Sequence, residues 1–273
     1  MRNSMYSGGP SFAEYREKYK DRIHMERRNG VIMLRMHTNG GPVIWGMEMH
    51  RVLIHAWQDV GGDPENELMI LTSTDPYWIG RVDESEEKDL LFDYDSYYQG
   101  ATKLIESLIF DVDIPTIAAV NGPGYHTEIA LLCDLTICSE EAIFQDGHFL
   151  IGFVPGDGQL LTFQELIGTK RANYALYTGQ KIDAKAALEW GLVNEVLPKD
   201  RLLDRAWELA GQIMAQPRAT RCLTHHLLSR PWKQRIINDF QAHITHEGYG
   251  IHVSKPRHEL NVIRNGWSRK KKE

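Results

Sequence analysis

Asn121-Gly122-Pro123-Gly124-Tyr125-His126-Thr127-Glu128 is the stretch around which the whole chain is organised. It follows the β-rich run 114–120, which is typical of a buried strand, and precedes the apolar run 129–133, which predicts the start of a buried helix. A strand, a glycine-rich turn and a helix N-terminus in this order present free backbone N–H groups and the positive end of a helix dipole. The stretch therefore predicts a site where negative charge develops, with a histidine placed in the turn.

Strand-like and helix-like patterns alternate on both sides of this turn. Asn29-Gly30 between two strand-like runs predicts a hairpin, and 68–72 is typical of a further buried strand. Shorter strands are predicted at 135–138, 142–144 and 193–197. Helices are predicted over 12–19, 48–59, 97–110, 159–167, 169–178, 183–190, 199–215, 218–229 and 231–248. This alternation predicts an α/β fold of stacked βα units, followed by a mostly helical C-terminal part.

The chain divides by composition into three parts. Residues 1–11 are polar and rich in glycine and serine, which predicts a disordered N-terminus. Residues 12–200 carry the alternating pattern and are predicted to form the core. Residues 201–273 are predicted to be a helical C-terminal region that ends in the basic tail 269–272. The polar and aromatic segment 73–95 is long enough to be a functional loop.

The composition and charge of the chain make some classes of binding partner poor candidates. A net charge of -6 makes nucleic acid and anionic membrane surfaces poor candidates for the main partner. We see neither an apolar stretch long enough to span a membrane nor an N-terminal signal core. The three cysteines lack metal-ligand spacing, which is typical of free thiols in a reducing compartment. We therefore expect a cytoplasmic protein.

His126 has two interpretations. A helix N-terminus disfavours the charged imidazole, so a neutral ring at this position can donate a hydrogen bond to a carbonyl. The alternative is a turn residue that tolerates an unusual backbone angle. His24, His37, His50, His55 and His258 lie in ordinary strand or helix contexts, where packing or surface roles are expected.

A second group of candidates lies in the glycine-punctuated segment 144–158. His148 and Asp157 can meet if this segment folds back, which would give a carboxylate that orients an imidazole as a general base. The alternative is that Asp157, within Pro-Gly-Asp-Gly, is only a turn residue. Adjacent histidines at 225 and 226 lack the spacing that puts two metal ligands on one helix face.

The frame Ala118-Ala119-Val120-Asn121-Gly122 followed by Glu128-Ile129-Ala130-Leu131-Leu132-Cys133-Asp134 resembles the signature of the crotonase (enoyl-CoA hydratase/isomerase) superfamily. Segments 144–158, 176–184 and 187–196 are similar to that superfamily as well, so the resemblance runs from about residue 23 to about residue 215. It implies a crotonase-like spiral of ββα units with a C-terminal helical region that is used in trimer formation.

The sequence departs from the CoA-handling members at the site. Their turn carries a run of glycines that supplies one oxyanion N–H, whereas this turn holds Tyr125-His126-Thr127. Their second oxyanion loop has a glycine where this chain has Arg81, and their catalytic glutamate falls on His148. These departures resemble one branch, 6-oxocamphor hydrolase and related β-diketone hydrolases.

The resemblance to this branch assigns roles to five residues, which are Trp45, His126, His148, Asp157 and Glu247. It implies retro-Claisen hydrolysis of a cyclic, and by analogy bicyclic, 1,3-diketone. The imidazole base and its carboxylate would activate water, and the turn histidine and the indole would hold the carbonyl oxygens. Neither a metal nor an organic cofactor is expected, and the expected assembly is a homotrimer or a dimer of trimers. The alternatives are an enoyl-CoA hydratase or isomerase, and a non-catalytic crotonase-like binding protein.

Overall fold

The computed structural model describes residues 9–83 and 94–254. Most of the predicted disordered N-terminus, residues 84–93 of the predicted functional loop and the whole basic tail lie outside the described residues. Among the described residues, no helix is both long enough and apolar enough to cross a membrane.

A six-stranded sheet forms the centre of the fold, in the order β1-β2-β4-β6-β7-β10. The strands β1 and β2 are antiparallel, and every other pair in this sheet is parallel. Two small ladders lie outside it, a parallel pair β3–β5 and an antiparallel pair β8–β9. The strand bounds are β1 Ile23–Arg28, β2 Val31–Met36, β3 Ile44–Trp45, β4 Leu68–Ser73, β5 Arg81–Val82, β6 Thr116–Val120, β7 Leu135–Ser139, β8 Ile143–Phe144, β9 Ile182–Asp183 and β10 Glu195–Leu197.

Helices connect the parallel strands and make up most of the chain after residue 159. Their bounds are α1 Phe12–Lys18, α2 Met47–Gly62, α3 Gln99–Phe110, α4 Glu128–Leu131, α5 Gln159–Ile167, α6 Thr169–Thr178, α7 Ala184–Trp190, α8 Leu202–Met214, α9 Arg218–Leu228, α10 Arg230–Arg235 and α11 Gln241–Ser254. A π-helical turn, Tyr94–Tyr98, leads into α3, and another, Ile236–Phe240, joins α10 to α11. The α/β class and the helical C-terminal part are thereby confirmed.

The Asn-Gly hairpin signal is confirmed. Asn29 and Gly30 have φ of 48° and 83°, the left-handed angles that a two-residue hairpin turn requires. Asparagine tolerates this region better than other side chains, and glycine adopts it without a Cβ clash.

Alternate residues of the central strands pack into two separate hydrophobic layers. Ile32 and Leu34 of β2 face the larger layer with helices α2 and α3, whereas Val31 and Met33 face the layer covered by α8. All five residues of β6 are buried because the sheet is covered on both faces. The site turn therefore begins at the end of a fully enclosed strand.

The predicted start of a buried helix after this turn is present as α4, whose four residues are all buried and which ends where the chain turns back into β7 at Leu135. The expectation of free backbone N–H groups is wrong for part of the turn. The backbone N–H groups of the turn are not free at Gly124 and Tyr125, which donate to Ile143 and Ile79 carbonyls at 3.4 and 2.9 Å. A single helical turn carries little dipole, and an occupied N–H cannot bind an oxyanion.

Candidate active site

His126 lies at the tip of the glycine-rich turn in a strained backbone conformation. Its φ of 49° is in the left-handed region, which costs a residue other than glycine, asparagine or aspartate about 1 kcal/mol. Its carbonyl accepts a hydrogen bond from the indole N–H of Trp78 at 3.1 Å, and that indole is fully buried. Fixed contacts therefore hold the ring of His126 in place despite the strain.

The ring of His126 contacts two carboxylates through the same nitrogen. Its Nδ1 lies 2.9 Å from Glu128 Oε1 and 3.1 Å from Asp157 Oδ2. Burial alone lowers the pKa of an imidazole, but these carboxylates outweigh it and raise the pKa of His126 to about 9. The expected neutral ring is therefore wrong. The imidazolium form predominates at neutral pH, and its Nε2–H is left to donate to another oxygen.

His148 follows β8 in a tight turn that Asp146 stabilises. One oxygen of Asp146 accepts the backbone N–H of His148 at 2.9 Å, and the other lies 3.1 Å from His148 Nδ1. The opposite ring nitrogen, Nε2, lies 3.5 Å from Asp157 Oδ2 and 3.9 Å from Glu247 Oε1. The predicted meeting of His148 and Asp157 is present, but the carboxylate that orients Nδ1 belongs to Asp146.

These carboxylates change the protonation of His148. Burial lowers its pKa, yet the charges of Asp157, Asp146 and Glu247 together raise the pKa well above the ordinary histidine value. His148 is thus a strong base whose neutral form increases as the pH rises above neutrality.

Asp157 lies between the two histidines at the start of α5. Burial raises its pKa, but the neighbouring His148 and His126 charges and the Gln159 N–H bring the pKa below its ordinary range. Within the described part of the chain, its other oxygen Oδ1 is buried without a hydrogen-bond partner. Asp157 is therefore more than a turn residue, since it is an ionised carboxylate shared by two imidazoles.

Glu247 reaches this site from α11, a helix of the C-terminal region. Its Oε2 accepts the Gly156 N–H at 3.0 Å, and its Oε1 accepts the Tyr97 hydroxyl at 2.6 Å. Burial raises the pKa of Glu247 to about 7, against the opposing effect of His148. A Cβ at Gly156 would lie 2.4 Å from the carbonyl of His243, so only glycine allows the loop to approach α11 this closely.

Trp45 forms one wall of the site. The β3–β5 ladder pairs it with Val82, and its ring stacks on His126 with 4.1 Å between centroids. Trp45 and His126, which were both expected to hold carbonyl oxygens, therefore lie side by side. All five residues that the resemblance assigned lie in this one cluster of contacts.

Two further site residues were missed. His50, on the first turn of α2, was expected to have a packing or surface role, and its half-buried ring packs against Trp45 beside His126. Its ring centroid is 4.5 Å from that of Trp45 and 6.0 Å from that of His126. Burial lowers the pKa of His50 to about 4. Its position five residues after a singled-out tryptophan, at a helix start, was the available signal.

Glu128 is the second missed residue. It is buried, and burial raises its pKa to about 7 despite the nearby His126. Because the sequence reads Tyr-His-Thr-Glu at the start of an apolar run, it resembles an ordinary first-turn acid of a helix. Only the fold shows that its side chain turns back onto the histidine two residues earlier.

Several of these groups also have the chemistry of metal ligands. The set His126, Glu128 and Asp157 and the set Asp146, His148 and Asp157 each offer ligand atoms within 4.8 Å of one another. A metal ion would have to displace the proton from each histidine, and the raised pKa of both rings makes that displacement more costly.

An apolar cavity of about 600 Å³ adjoins the site. Phe153 lines it and also lies beside His148, with 6.2 Å between the two ring centroids. The other apolar lining residues are Phe149, Val154, Pro155, Leu160 and Leu176.

Comparisons with known proteins give one matching family and several similar structures. The profile of the family Enoyl-CoA hydratase/isomerase matches residues 26–257. A beta-diketone hydrolase from the cyanobacterium Anabaena sp., solved with (S)-3-oxocyclohexyl acetic acid, is 32% identical. The alignment covers 89% of this chain and 97% of that one, with a TM-score of 0.83. An enoyl-CoA hydratase/isomerase structure from Mycobacterium paratuberculosis has a TM-score of 0.78 at 22% identity, covering 90% and 98% of the two chains.

Curated relatives match over a shorter stretch. Carnitinyl-CoA dehydratase from Citrobacter koseri is 41% identical over 108 residues, which are 39% of this chain and 41% of that protein. The same enzyme from Salmonella agona is 40% identical over the same length. The matched stretch thus spans about two fifths of these relatives.

Proposed function

The chain belongs to the enoyl-CoA hydratase/isomerase family, and within it we propose a hydrolase that cleaves the carbon–carbon bond between two carbonyls of a cyclic 1,3-diketone. The observation that carries this proposal is the pair of imidazoles on one ionised carboxylate, Asp157. His126 is held as a charged donor, and His148, whose pKa is also raised, acts as the base in the fraction of molecules in which it has lost its proton. Hydrolysis of a diketone needs both, because water must be activated while negative charge grows on carbonyl oxygen.

The first step is addition of water. His148 Nε2 takes a proton from a water molecule, and the hydroxide oxygen bonds to one ring carbonyl. The carbonyl oxygen becomes an alkoxide, which the Nε2–H of His126 and the indole N–H of Trp45 stabilise. Each such donor typically contributes about 3 kcal/mol to stabilisation of the transition state.

The second step breaks the ring. The alkoxide re-forms a carbonyl as a carboxylic acid, and the electron pair of the carbon–carbon bond moves into the other half as an enolate. The proton on His148 is returned to the enolate carbon. The diketone itself delocalises the negative charge, so these residues need only position and stabilise it. Glu247 lies where it can accept the proton that the new carboxylic acid loses.

Acyl-CoA chemistry is the second candidate, because the carnitinyl-CoA dehydratases match over part of the chain. The site turn argues against it. In CoA-handling members that turn supplies an oxyanion N–H, whereas here the Tyr125 N–H is already bonded to the carbonyl of Ile79 at 2.9 Å. The Arg81 side chain, which stands where those members have glycine, is exposed.

The deciding experiment compares two substrates on the purified full-length protein. A bicyclic β-diketone is expected to be hydrolysed to a keto acid. The reaction is monitored by the loss of the ultraviolet absorbance of the diketone, and the product is identified by mass spectrometry. Crotonyl-CoA is expected to be hydrated far more slowly. Turnover of the thioester at a comparable or higher rate would contradict the proposal.

We also propose that the C-terminal helices carry the subunit contacts of a trimer or a dimer of trimers. They expose several large apolar side chains, Leu223, Leu227, Leu228, Ile237, Tyr249 and Val253. The variant Leu227→Glu, at a residue that is 73% exposed, should have a mass by light scattering closer to that of one chain. A wild-type protein that is monomeric at micromolar concentration would contradict this assignment.

A further inference from the structure

Each turnover of the proposed reaction releases one proton at neutral pH. Water supplies two protons, of which one ends on the enolate carbon and the other on the new carboxyl group. A carboxylic acid of ordinary pKa, about 4, is ionised at pH 7, so that second proton must leave. The site where it forms is enclosed, because Asp146 and Glu247 are each only 3% exposed.

Glu247 connects this enclosed site to a second, separate depression in the protein surface. Its Oε1 lies 3.9 Å from His148 Nε2 on one side and accepts the Tyr97 hydroxyl at 2.6 Å on the other. Tyr97 in turn lines a cleft of about 760 Å³ between α3 and α11. The described lining of this cleft also includes Tyr94 and Tyr249, which are 63% and 67% exposed, so the cleft opens to solvent there.

Resting on the proposed function, we propose that Tyr97 is a positioning and proton-transfer residue for Glu247, and that the released proton leaves through the cleft between α3 and α11. Glu247 in its acid form gives its proton to the phenolic oxygen of Tyr97, while the phenolic O–H gives its own proton to a water molecule in the cleft. Glu247 returns to a carboxylate and Tyr97 remains a neutral phenol. No other reactant is required.

The contacts around both groups fit this role. Burial and the neighbouring Glu247 and Asp157 charges raise the pKa of Tyr97 well above its ordinary value, so Tyr97 is a neutral phenol both before and after the transfer. The charged groups that act on Glu247 are His148, Asp157 and Asp146. The ring of Tyr97 passes Gly248 of α11, where an added Cβ would lie 3.6 Å from it.

The test compares Tyr97→Phe with Tyr249→Phe, which removes a hydroxyl from the same cleft but not from Glu247. Hydrolysis of the bicyclic diketone by Tyr97→Phe is expected to show kcat lowered about tenfold at nearly unchanged KM, less than the 10²–10⁴ of a directly acting acid or base. The solvent deuterium isotope effect on kcat should increase, and added imidazole or formate buffer should restore part of the rate. A merely structural role would lower the melting temperature and give no response to buffer.

A measurement without substrate separates this inference from the proposed function. The infrared band of a buried protonated carboxyl group, assigned to Glu247 by its loss in Glu247→Gln, is followed as a function of pH. Because the Tyr97 hydroxyl stabilises the Glu247 carboxylate, Tyr97→Phe should move the midpoint up by about one pH unit, and Tyr249→Phe should leave it in place. If wild type hydrolyses no diketone, the proposed function is wrong and this titration alone decides on Tyr97. An unmoved midpoint, or unchanged kcat in an active enzyme, would overturn the inference.

Discussion

The two histidine turns contain the same residue types in opposite arrangements. At His126 both neighbouring carboxylates contact one ring nitrogen, Nδ1, and the other nitrogen is left for a substrate oxygen. At His148 carboxylates lie against both ring nitrogens. The first arrangement suits a fixed donor, and the second suits a group that exchanges protons with its neighbours. Asp157 contacts the rings of both histidines, so removing its charge should affect both roles at once.

Removing the charge that both turns share should have the largest effect. Asp157→Asn keeps the shape and can still accept the Gln159 N–H, but it removes the carboxylate between the two imidazoles. Turnover of the diketone should fall by up to about 10⁴-fold, as in a comparable site that loses its orienting carboxylate. Steady-state kinetics measure the loss of turnover, and a thermal melt shows whether the fold is retained. The control is Asp200→Asn, which lies away from the site. Near-normal turnover with an unchanged melt would mean that Asp157 is a turn residue after all.

Removing only the donor should have a smaller effect that also reaches substrate binding. His126→Asn removes the imidazolium but suits the backbone, because Asn29 and Asn39 of this chain adopt φ of 48° and 51°, close to the 49° of His126. We expect kcat to fall by about 10²–10³, the usual cost of an oxyanion donor, and KM to rise. His148→Asn should lower kcat without raising KM. If both variants change KM equally, the difference in role between the two histidines does not exist.

The pH dependence of kcat/KM tests the role of His148 as the base. Because the pKa of His148 is raised, its neutral form increases with pH, so kcat/KM should rise from neutral into alkaline pH. Asp146→Asn removes one of the charges that raise this pKa. The rising part of the kcat/KM profile should therefore move to lower pH by about one unit. The maximum value of kcat/KM should also fall, because the His148 ring loses the carboxylate that fixes its orientation. A limb near pH 7 that Asp146→Asn does not move would point instead to Glu247, whose pKa is about 7.

The fold was predictable because its patterns are local. The Asn29-Gly30 hairpin and the bounds of α5 and α6 follow from turn chemistry and helical periodicity alone. The strand β8 was predicted at 142–144, but its pairing with β9 and the ladder β3–β5 were not, since two-residue strands leave no periodicity to read. The brevity of α4 depends on where the chain must re-enter the sheet, which no local pattern contains.

The site was predictable in its members but not in its pairings. The five residues assigned by resemblance do lie together, and the named pair His148 and Asp157 does meet, but Asp146 was not named as a partner of His148. Only the Asp146-Gly147-His148 turn, with its bond to the His148 backbone, brings that carboxylate to Nδ1. The charge of His126 was also misjudged, because a dipole can be inferred from sequence whereas two carboxylates converging from separate segments cannot.

The smallest effect on turnover is expected at His50, the site histidine for which the described residues provide no carboxylate contact. It is half-buried, its Nδ1 lies 2.9 Å from the Gly46 carbonyl, and desolvation lowers its pKa to about 4. It is therefore neutral wherever the enzyme is assayed. His50→Gln, which retains a donor, should lower kcat less than threefold and leave the pH limb where it is, in contrast to Asp146→Asn.

The consequence of this burial should appear in stability instead. Below pH 6.5 the unfolded chain protonates His50 while the folded protein does not, so its contribution to the free energy of unfolding falls as the pH drops from about 6.5 to about 4. The full loss is about 3 kcal/mol. The raised pKa values of His126 and His148 act in the opposite sense, since their contributions are complete below pH 6.5 and lost as the pH rises through the folded-state values. Urea unfolding at pH 4.5, 5.5 and 7.5 isolates the first effect as the difference between wild type and His50→Gln. The variant should gain stability relative to wild type as the pH falls. A constant difference would mean that His50 accepts a proton in the folded state, and that all three histidines of the site are charged together.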